Sequence, residues 1–397
     1  MPAPAATSWD ALLGPLAETP RENGTAALHQ TASWLFETLR ASGLETEMLP
    51  FAAHPYGLRL AGVLALGAGL AYLSAVRARR AGLALLVSVA APALLLADLS
   101  WYLPVFGWIG AETEHHVLAR LAPSGEPVQR LVFAAHYDTK TDLLDHVQRA
   151  PLELAGPPLA ALMGAGAVAL WVAPSARLAR ALAAAAGWGG ALWGVGLFAA
   201  LSAGAFVPWR SPGALDDGGA CAVLVRLAEG LAGEALPRRT ALEILLLAAE
   251  EVGVQGSWVY AEQRFARPPD LPTFVVNLEG IGASLDLGVV GSERFTLASY
   301  PPDPRIVELL AAVQRERTGR ELERPQWGGA TDARSFLAHG VPAATLFSRE
   351  PGVRFPRGLH SARDVRARLD EAALAETAAF LAAVVRAADE NPLPSAP

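Results

Sequence analysis

The sequence predicts an α/β fold, a mixed and mostly parallel central sheet flanked by helices, interrupted by two inserted transmembrane helical hairpins. Three observations lead there. Outside two regions, short apolar runs of strand length alternate with helical periodicity. Each of those two regions holds a pair of uncharged stretches long enough to cross a bilayer. Finally, 52% of the 397 residues are hydrophobic and only 18% are charged, an apolar balance for a soluble enzyme.

Taken in order, Leu28, Ala32, Leu35 and Leu39 recur at helical spacing, with Asn23 to Thr25 as a start signal and Gly43 as a stop. Residues 45–51 are strand-like. The first uncharged pair covers residues 60–76 and 81–97, each ~17 residues and at the short end of a span. Residues 117–121 and 131–135, separated by Pro123-Ser124-Gly125-Glu126, predict an antiparallel β-hairpin. The second uncharged pair lies between Glu153 and Arg177 and between Arg180 and Arg210. Beyond it, residues 220–231 and 306–317 predict helices, and residues 242–248, 274–278 and 343–347 predict strands. A last helix covers 370–389, capped by Asp370. The expected organisation is an α/β domain made of residues 1–57, 111–153 and 210–397, with membrane hairpins at 58–110 and 154–209.

Both hairpin turns are arginine-rich, Arg77-Ala78-Arg79-Arg80 and the segment from Ser175 to Arg180. By the positive-inside rule they are cytoplasmic, with Trp101, Tyr102, Trp108 and Trp209 as an aromatic belt at the other face. The protein is then a four-helix integral membrane protein with its α/β domain outside the cytoplasm. Residues 1–50 lack the apolar core of a cleavable signal, so the first hairpin must drive export. If 117–121 and 131–135 pair, both hairpins join one sheet edge, which would turn a site there toward the bilayer.

A net charge of −7 gives no basic footprint, so no nucleic-acid partner is expected. A single cysteine, Cys221, excludes an internal disulfide and any CxxC metal site, which leaves His, Asp and Glu to hold a metal. Cys221 itself is expected as a buried small side chain, and His115, His146 and His339 as residues of polar loops.

In open α/β sheets, ligands bind beyond the carboxyl ends of the strands. The first apolar strand after the first hairpin runs into His136-Tyr137-Asp138, a later one into Glu250-Glu251, and another into Glu279; Gly213-Ala214-Leu215-Asp216-Asp217 enters a helix, and His360 follows the short strand at 343–347. Carboxylates converging after buried strands need a cation, because desolvation would otherwise neutralise them. Two histidines with several carboxylates and no thiolate suit a pair of zinc ions or similar divalent metals. Such ions lower the pKa of water, and adjacent glutamates can divide the labour, one ligating and the other accepting a proton.

These motifs, in this order, resemble the co-catalytic di-zinc aminopeptidases of the zinc-exopeptidase fold. The resemblance rests on His136-Tyr137-Asp138, Gly213 to Asp217, Ala249-Glu250-Glu251-Val252-Gly253, Asn277-Leu278-Glu279 and Leu359-His360-Ser361, and covers nearly all of the chain outside the hairpins. It implies that Asp216 bridges two zinc ions, with His136 and Glu279 completing one site and Glu251 and His360 the other. It further implies that Glu250 is the general base, that Asp138 orients His136, and that Asp332 supports His360. The implied activity is removal of N-terminal residues from peptides. Carboxypeptidases, glutaminyl cyclases and non-catalytic receptors share the fold, though receptors tend to lose ligands and every expected position here holds a competent side chain. Three departures stand out: Glu279 where aspartate is commoner, Ala333 where many relatives have histidine, and no tyrosine near Gly328. The oxyanion donor is therefore unassigned, and neither Tyr137 nor Trp327 fills it. Side-chain preference and oligomeric state are not encoded in these motifs.

Overall fold

The computed structural model describes residues 7–101, 109–233, 237–295, 298–327, 329–350, 352–353 and 356–394. Tyr102, Trp108 and Gly328 of the sequence expectations fall outside them. The chain divides into two compact units, an α/β unit of Met1–Ala53, Glu112–Lys140 and Arg210–Pro397, and a helical unit of His54–Ala111 and Thr141–Trp209.

Seven strands build the main sheet of the α/β unit. They are β1 (Glu45–Ala53), β2 (Glu112–Leu121), β3 (Gln129–His136), β4 (Thr240–Leu247), β5 (Thr273–Glu279), β6 (Leu287–Val289) and, last in sequence, β9 (Ala343–Ser348). A separate two-stranded ribbon pairs β7 (Glu293–Phe295) with β8 (Ala298–Tyr300). The sheet order is β1-β2-β4-β3-β5-β9-β6. Its centre, β4-β3-β5-β9, is parallel, and both edges are antiparallel.

Strand β3 explains the architecture. Its residues are buried throughout, as a strand covered on both faces must be. Leu131, Phe133 and Ala135 enter one apolar cluster, whereas Val132 and Ala134 enter the other, because successive side chains point to opposite faces. The first face is covered by α2 (Ala26–Ala41), α7 (Gly219–Gly233), α9 (Pro304–Thr318) and α11 (Glu371–Glu390), and the second by α8 (Gln255–Arg264) and α10 (Ala333–Ala338). A short α1 (Trp9–Leu13), capped by Ser8, adds Leu12 and Leu13 to the first cluster. Thr25 caps α2 and Asp370 caps α11 through their side-chain oxygens.

The expected β2–β3 hairpin does not form. Strand β4 lies between the two, antiparallel to β2 and parallel to β3, so the turn at Pro123 to Glu126 leads past a neighbouring strand position. The apolar run of β3 demands the sheet centre, and β4 is equally apolar. Pairing the two buries both, a long-range preference that outweighs the local turn. The expected attachment of both hairpins at one edge was drawn from the wrong pairing, yet the end of β1 and the start of β2 do lie at the edge where β4 and β3 end.

The helical unit contains α3 (Gly57–Arg77), α4 (Ala81–Trp101), α5 (His146–Val172) and α6 (Arg177–Leu201). Helix α5 starts ahead of its uncharged run because Asp145 and Gln148 form a reciprocal capping box. All four helices are long and apolar enough to cross a membrane. Their outer surfaces expose Leu86, Leu154, Trp171, Val172, Leu178 and Leu192, an apolar expanse unlike that of a soluble monomer. Helices α3 and α6 approach through small residues: a Cβ on Gly194 would stand 2.6 Å from the Ala65 carbonyl oxygen, which lets the two backbones touch. Tyr72 Oη donates to the Met163 carbonyl at 2.6 Å and Ser202 Oγ to that of Arg59 at 2.6 Å, satisfying polar groups inside an apolar bundle.

Candidate metal centre

The parallel strands deliver their carboxyl ends to one place. His136 is the last residue of β3, Glu279 the last of β5, and Glu250-Glu251 follow β4. Asp216 lies in the Ala214–Gly218 turn that leads into α7, and His360 in the loop beyond β9. Gly213 admits this turn because it sits at φ +63° against Thr139, where a side chain would be strained and crowded. Asp216 and Asp217 are joined by a cis peptide bond.

Two ligand groups result, His136/Asp216/Glu279 and Asp216/Glu251/His360, each with donor atoms within 4.8 Å of one another. Asp216 belongs to both. Its Oδ1 is 3.2 Å from His136 Nε2 and its Oδ2 is 3.0 Å from His360 Nε2. His360 Nε2 is also 3.1 Å from Glu251 Oε2, and His136 Nε2 is 3.7 Å from Glu279 Oε1. The sequence-predicted ligands His136, Asp216, Glu251, Glu279 and His360 are thus brought together.

The donor set fits zinc on three counts. Glu251 Oε1 and Glu279 Oε2 are buried without a hydrogen-bond partner, and His136 Nε2 is buried among carboxylates without an acceptable hydrogen bond, as lone pairs aimed at a shared cation would be. His136 Nδ1 lies 3.1 Å from the Asp138 carbonyl; donating there, it leaves the lone pair on Nε2. The charge balance also asks for cations. Burial, together with the charges of Glu251 and Glu279, pushes Glu250 well above the carboxylate range despite His136, and burial pushes Glu279 to about 7. Burial likewise opposes the charged forms of Asp216 and His136, yet their mutual pairing, with His360 on one side and Asp138 and Glu279 on the other, holds Asp216 well below and His136 well above their ordinary values. Divalent ions held between these groups would supply the positive charge that the converging carboxylates call for.

Asp138 does more than expected. Its carbonyl faces the His136 ring, but its buried carboxylate accepts Glu250 N–H at 3.2 Å, Glu251 N–H at 3.0 Å and the Asn23 amide at 2.6 Å. It therefore fixes the backbone that presents both glutamates. Asp332 is fully buried, and burial pushes its carboxyl up to about 7 despite His136. Its charge adds to the pressure on the Glu250 carboxyl. Tyr137 directs its hydroxyl away, to the His115 carbonyl at 2.6 Å. Cys221 is buried as expected, whereas His115 sits on β2 and His146 opens α5 instead of lying in polar loops.

Several residues escaped the sequence reading. Asp364 accepts Leu215 N–H at 2.9 Å and Asp216 N–H at 3.2 Å, which orients the shared carboxylate. The only sequence signal for it is its place four residues past His360. Lys140, the only lysine in the chain, is nearly buried, and its charge favours ionised Glu251. Ala249 and His360 hold positive φ, +62° and +58°; for residues with a Cβ this costs about 1–2 kcal/mol, a strain that surrounding structure must hold.

Residues 200–385 match Peptidase family M28. No curated protein matches the sequence. Among solved structures, a zinc aminopeptidase from Bacillus subtilis superposes with a TM-score of 0.54 at 15% identity, over 95% of this chain and 93% of that one. A Zn-dependent exopeptidase from Parabacteroides distasonis gives 0.53 at 12% identity, over 94% of each chain, and a glutaminyl cyclase from Tannerella forsythia gives 0.52 at 13%, over 94% and 95%. At such identities the likeness is one of fold. The stretch that is similar to peptidase family M28 carries Asp216, Glu250, Glu251, Glu279 and His360, whereas His136 and Asp138 lie ahead of it.

Proposed function

We propose that the chain is a membrane-anchored di-zinc aminopeptidase that removes N-terminal residues from peptides, with its α/β unit outside the cytoplasm. The observation that carries this reading is the sharing of Asp216 between two ligand groups. His136 and Glu279 would hold one zinc, Glu251 and His360 the other, and Asp216 both. Zinc supplies a Lewis acid for the scissile carbonyl and a lowered pKa for water. Glu250, displaced from the ligand groups yet fixed by Asp138, accepts the proton of the attacking water and returns it to the leaving amine. The free α-amine of the substrate is attracted by the acidic pocket, which favours N-terminal over C-terminal trimming. The four apolar helices and their arginine-rich turns support anchoring in a bilayer with those turns in the cytoplasm.

Metal analysis of the purified chain and a panel of aminoacyl chromogenic substrates test this. Glu250→Gln should keep its zinc and lose about 10²–10⁴-fold in rate, the usual contribution of a positioned base. Full activity in that variant would remove Glu250 from the reaction. N-terminal glutaminyl peptides belong in the panel, since glutaminyl cyclases share the fold; ammonia release without peptide cleavage would favour cyclisation instead.

A further inference from the structure

The second insertion leaves the α/β unit after Lys140 and returns at Arg210. It therefore separates His136 from Asp216 in sequence, and the pocket is assembled across the stem of a long excursion. One side chain holds that stem together. Arg21 is fully buried; its Nε donates to the Tyr137 carbonyl at 2.7 Å on the outgoing side, while Nη1 donates to Pro212 at 2.8 Å and Nη2 to Gly213 at 3.1 Å on the returning side. Nη1 also reaches the Thr19 carbonyl at 2.7 Å. The flanking chain reinforces the junction. Arg21 N–H donates to Thr139 Oγ1 at 2.8 Å, and Thr139 N–H to the Arg21 carbonyl at 3.0 Å. Glu22 pairs with Arg210 at 3.6 Å, and Asn23 reaches Asp138.

We infer that Arg21 is a positioning residue: by bridging the two ends of the inserted helical hairpin, it holds His136 and Asp216 at coordinating separation, so that zinc affinity depends on a guanidinium outside both ligand groups. The inference rests on the zinc reading of the site. Only an arginine suits the task. A planar fork with five donors in fixed directions serves carbonyls on three chain segments at once, whereas an ammonium offers three donors around one atom. A buried cation needs such compensation, and Asp138, Asp217 and Asp364 add favourable charge nearby. The contact cannot be replaced by the sheet, because Tyr137 and Gly213 both lie beyond its strands.

The test uses the full chain in detergent, with zinc affinity measured by equilibrium competition against a chelator and the fold followed by circular dichroism. Arg130→Lys serves as a control, since Arg130 forms a bidentate pair with Asp270 at the opposite end of β3. Arg21→Lys is expected to fold and to bind zinc about 10–100-fold more weakly, the usual effect of losing a partner that orients ligands, while Arg130→Lys stays within about twofold of the parent. If Arg21→Lys does not fold, Thr139→Val, which removes only the hydroxyl acceptor of the Arg21 N–H, is expected to weaken zinc binding severalfold. Zinc on the parent with unchanged affinity in the folded variant, or an equal loss in Arg130→Lys, would overturn the inference alone. A parent chain that binds no zinc would overturn the metal reading and the inference with it.

Discussion

Asp138 and Glu250 illustrate how a pocket of carboxylates can be ordered before any substrate arrives. Asp138 has no solvent contact, and each of its oxygens accepts a backbone N–H, with Oδ2 also taking the Asn23 amide. In Asp138→Asn one oxygen becomes a donor facing N–H groups, so a buried acceptor is lost and donors are left unpaired, at a cost of about 1–3 kcal/mol. The expected outcome is weaker zinc binding, by about 10–100-fold, with a lowered kcat; chelator competition and steady-state kinetics check it. The residue scale is also where sequence was least informative. His136, Asp216, Glu250, Glu251, Glu279 and His360 could be found because each interrupts or follows an apolar run. Asp364, Asn23 and Arg21 could not, because they act on segments distant in sequence, Asp364 and Arg21 through backbone groups and Asn23 through the Asp138 carboxylate, and no spacing rule records such contacts.

At the scale of elements, helix α11 is tied to the start of β4 by one carboxylate. Asp389 accepts N–H groups of Arg238, Arg239 and Thr240 at 2.9, 2.7 and 2.9 Å. Partial burial works against its charge, but these donors hold its pKa below the ordinary aspartate value. A carboxyl with a depressed folded pKa contributes stability above its unfolded value, near 4, and loses that contribution as pH falls through the folded value. Asp389→Asn should therefore unfold more easily at pH 7, by about 1 kcal/mol, with the gap to the parent closing as the pH falls through the folded value; urea titrations at pH 7 and at successively more acid pH check it. Helices α3 and α6 give a sharper contrast. Gly194 faces backbone atoms of Ala65 and Leu66, whereas Gly67 has open space around it. Gly194→Leu should destabilise the helical unit by at least about 1–3 kcal/mol, the usual cost of overpacking, and Gly67→Leu should not; thermal melts in detergent separate them. Both hairpins could be read from uncharged length alone, a local property. The pairing of β2 and β3 with β4 could not, since β4 lies more than a hundred residues beyond both in sequence.

For the whole molecule, the α/β order was legible because strands buried on both faces read as unbroken apolar runs, and their ends announce themselves by charge. The short strands β6, β7 and β8 left no such trace, because three residues carry no periodicity. Binding links the two scales. A metal held only by the folded pocket adds stability of RT ln(1 + [zinc]/Kd), about 2.7 kcal/mol at a hundredfold excess over Kd. Zinc titration should raise the melting temperature of the α/β unit, and a chelator should lower it; no response to either would count against a metal held by this pocket.

The near-exclusive use of arginine as the cation leaves a single place where a lysine-directed protease can cut, after Lys140, where the chain leaves the α/β unit. That side chain is almost sealed, so the cut requires the chain around Lys140 to open first. One scissile bond in the entire polypeptide then becomes a clock for breathing of the stem. Its two fragments, resolved on a gel, would time how often the ends of the excursion part company.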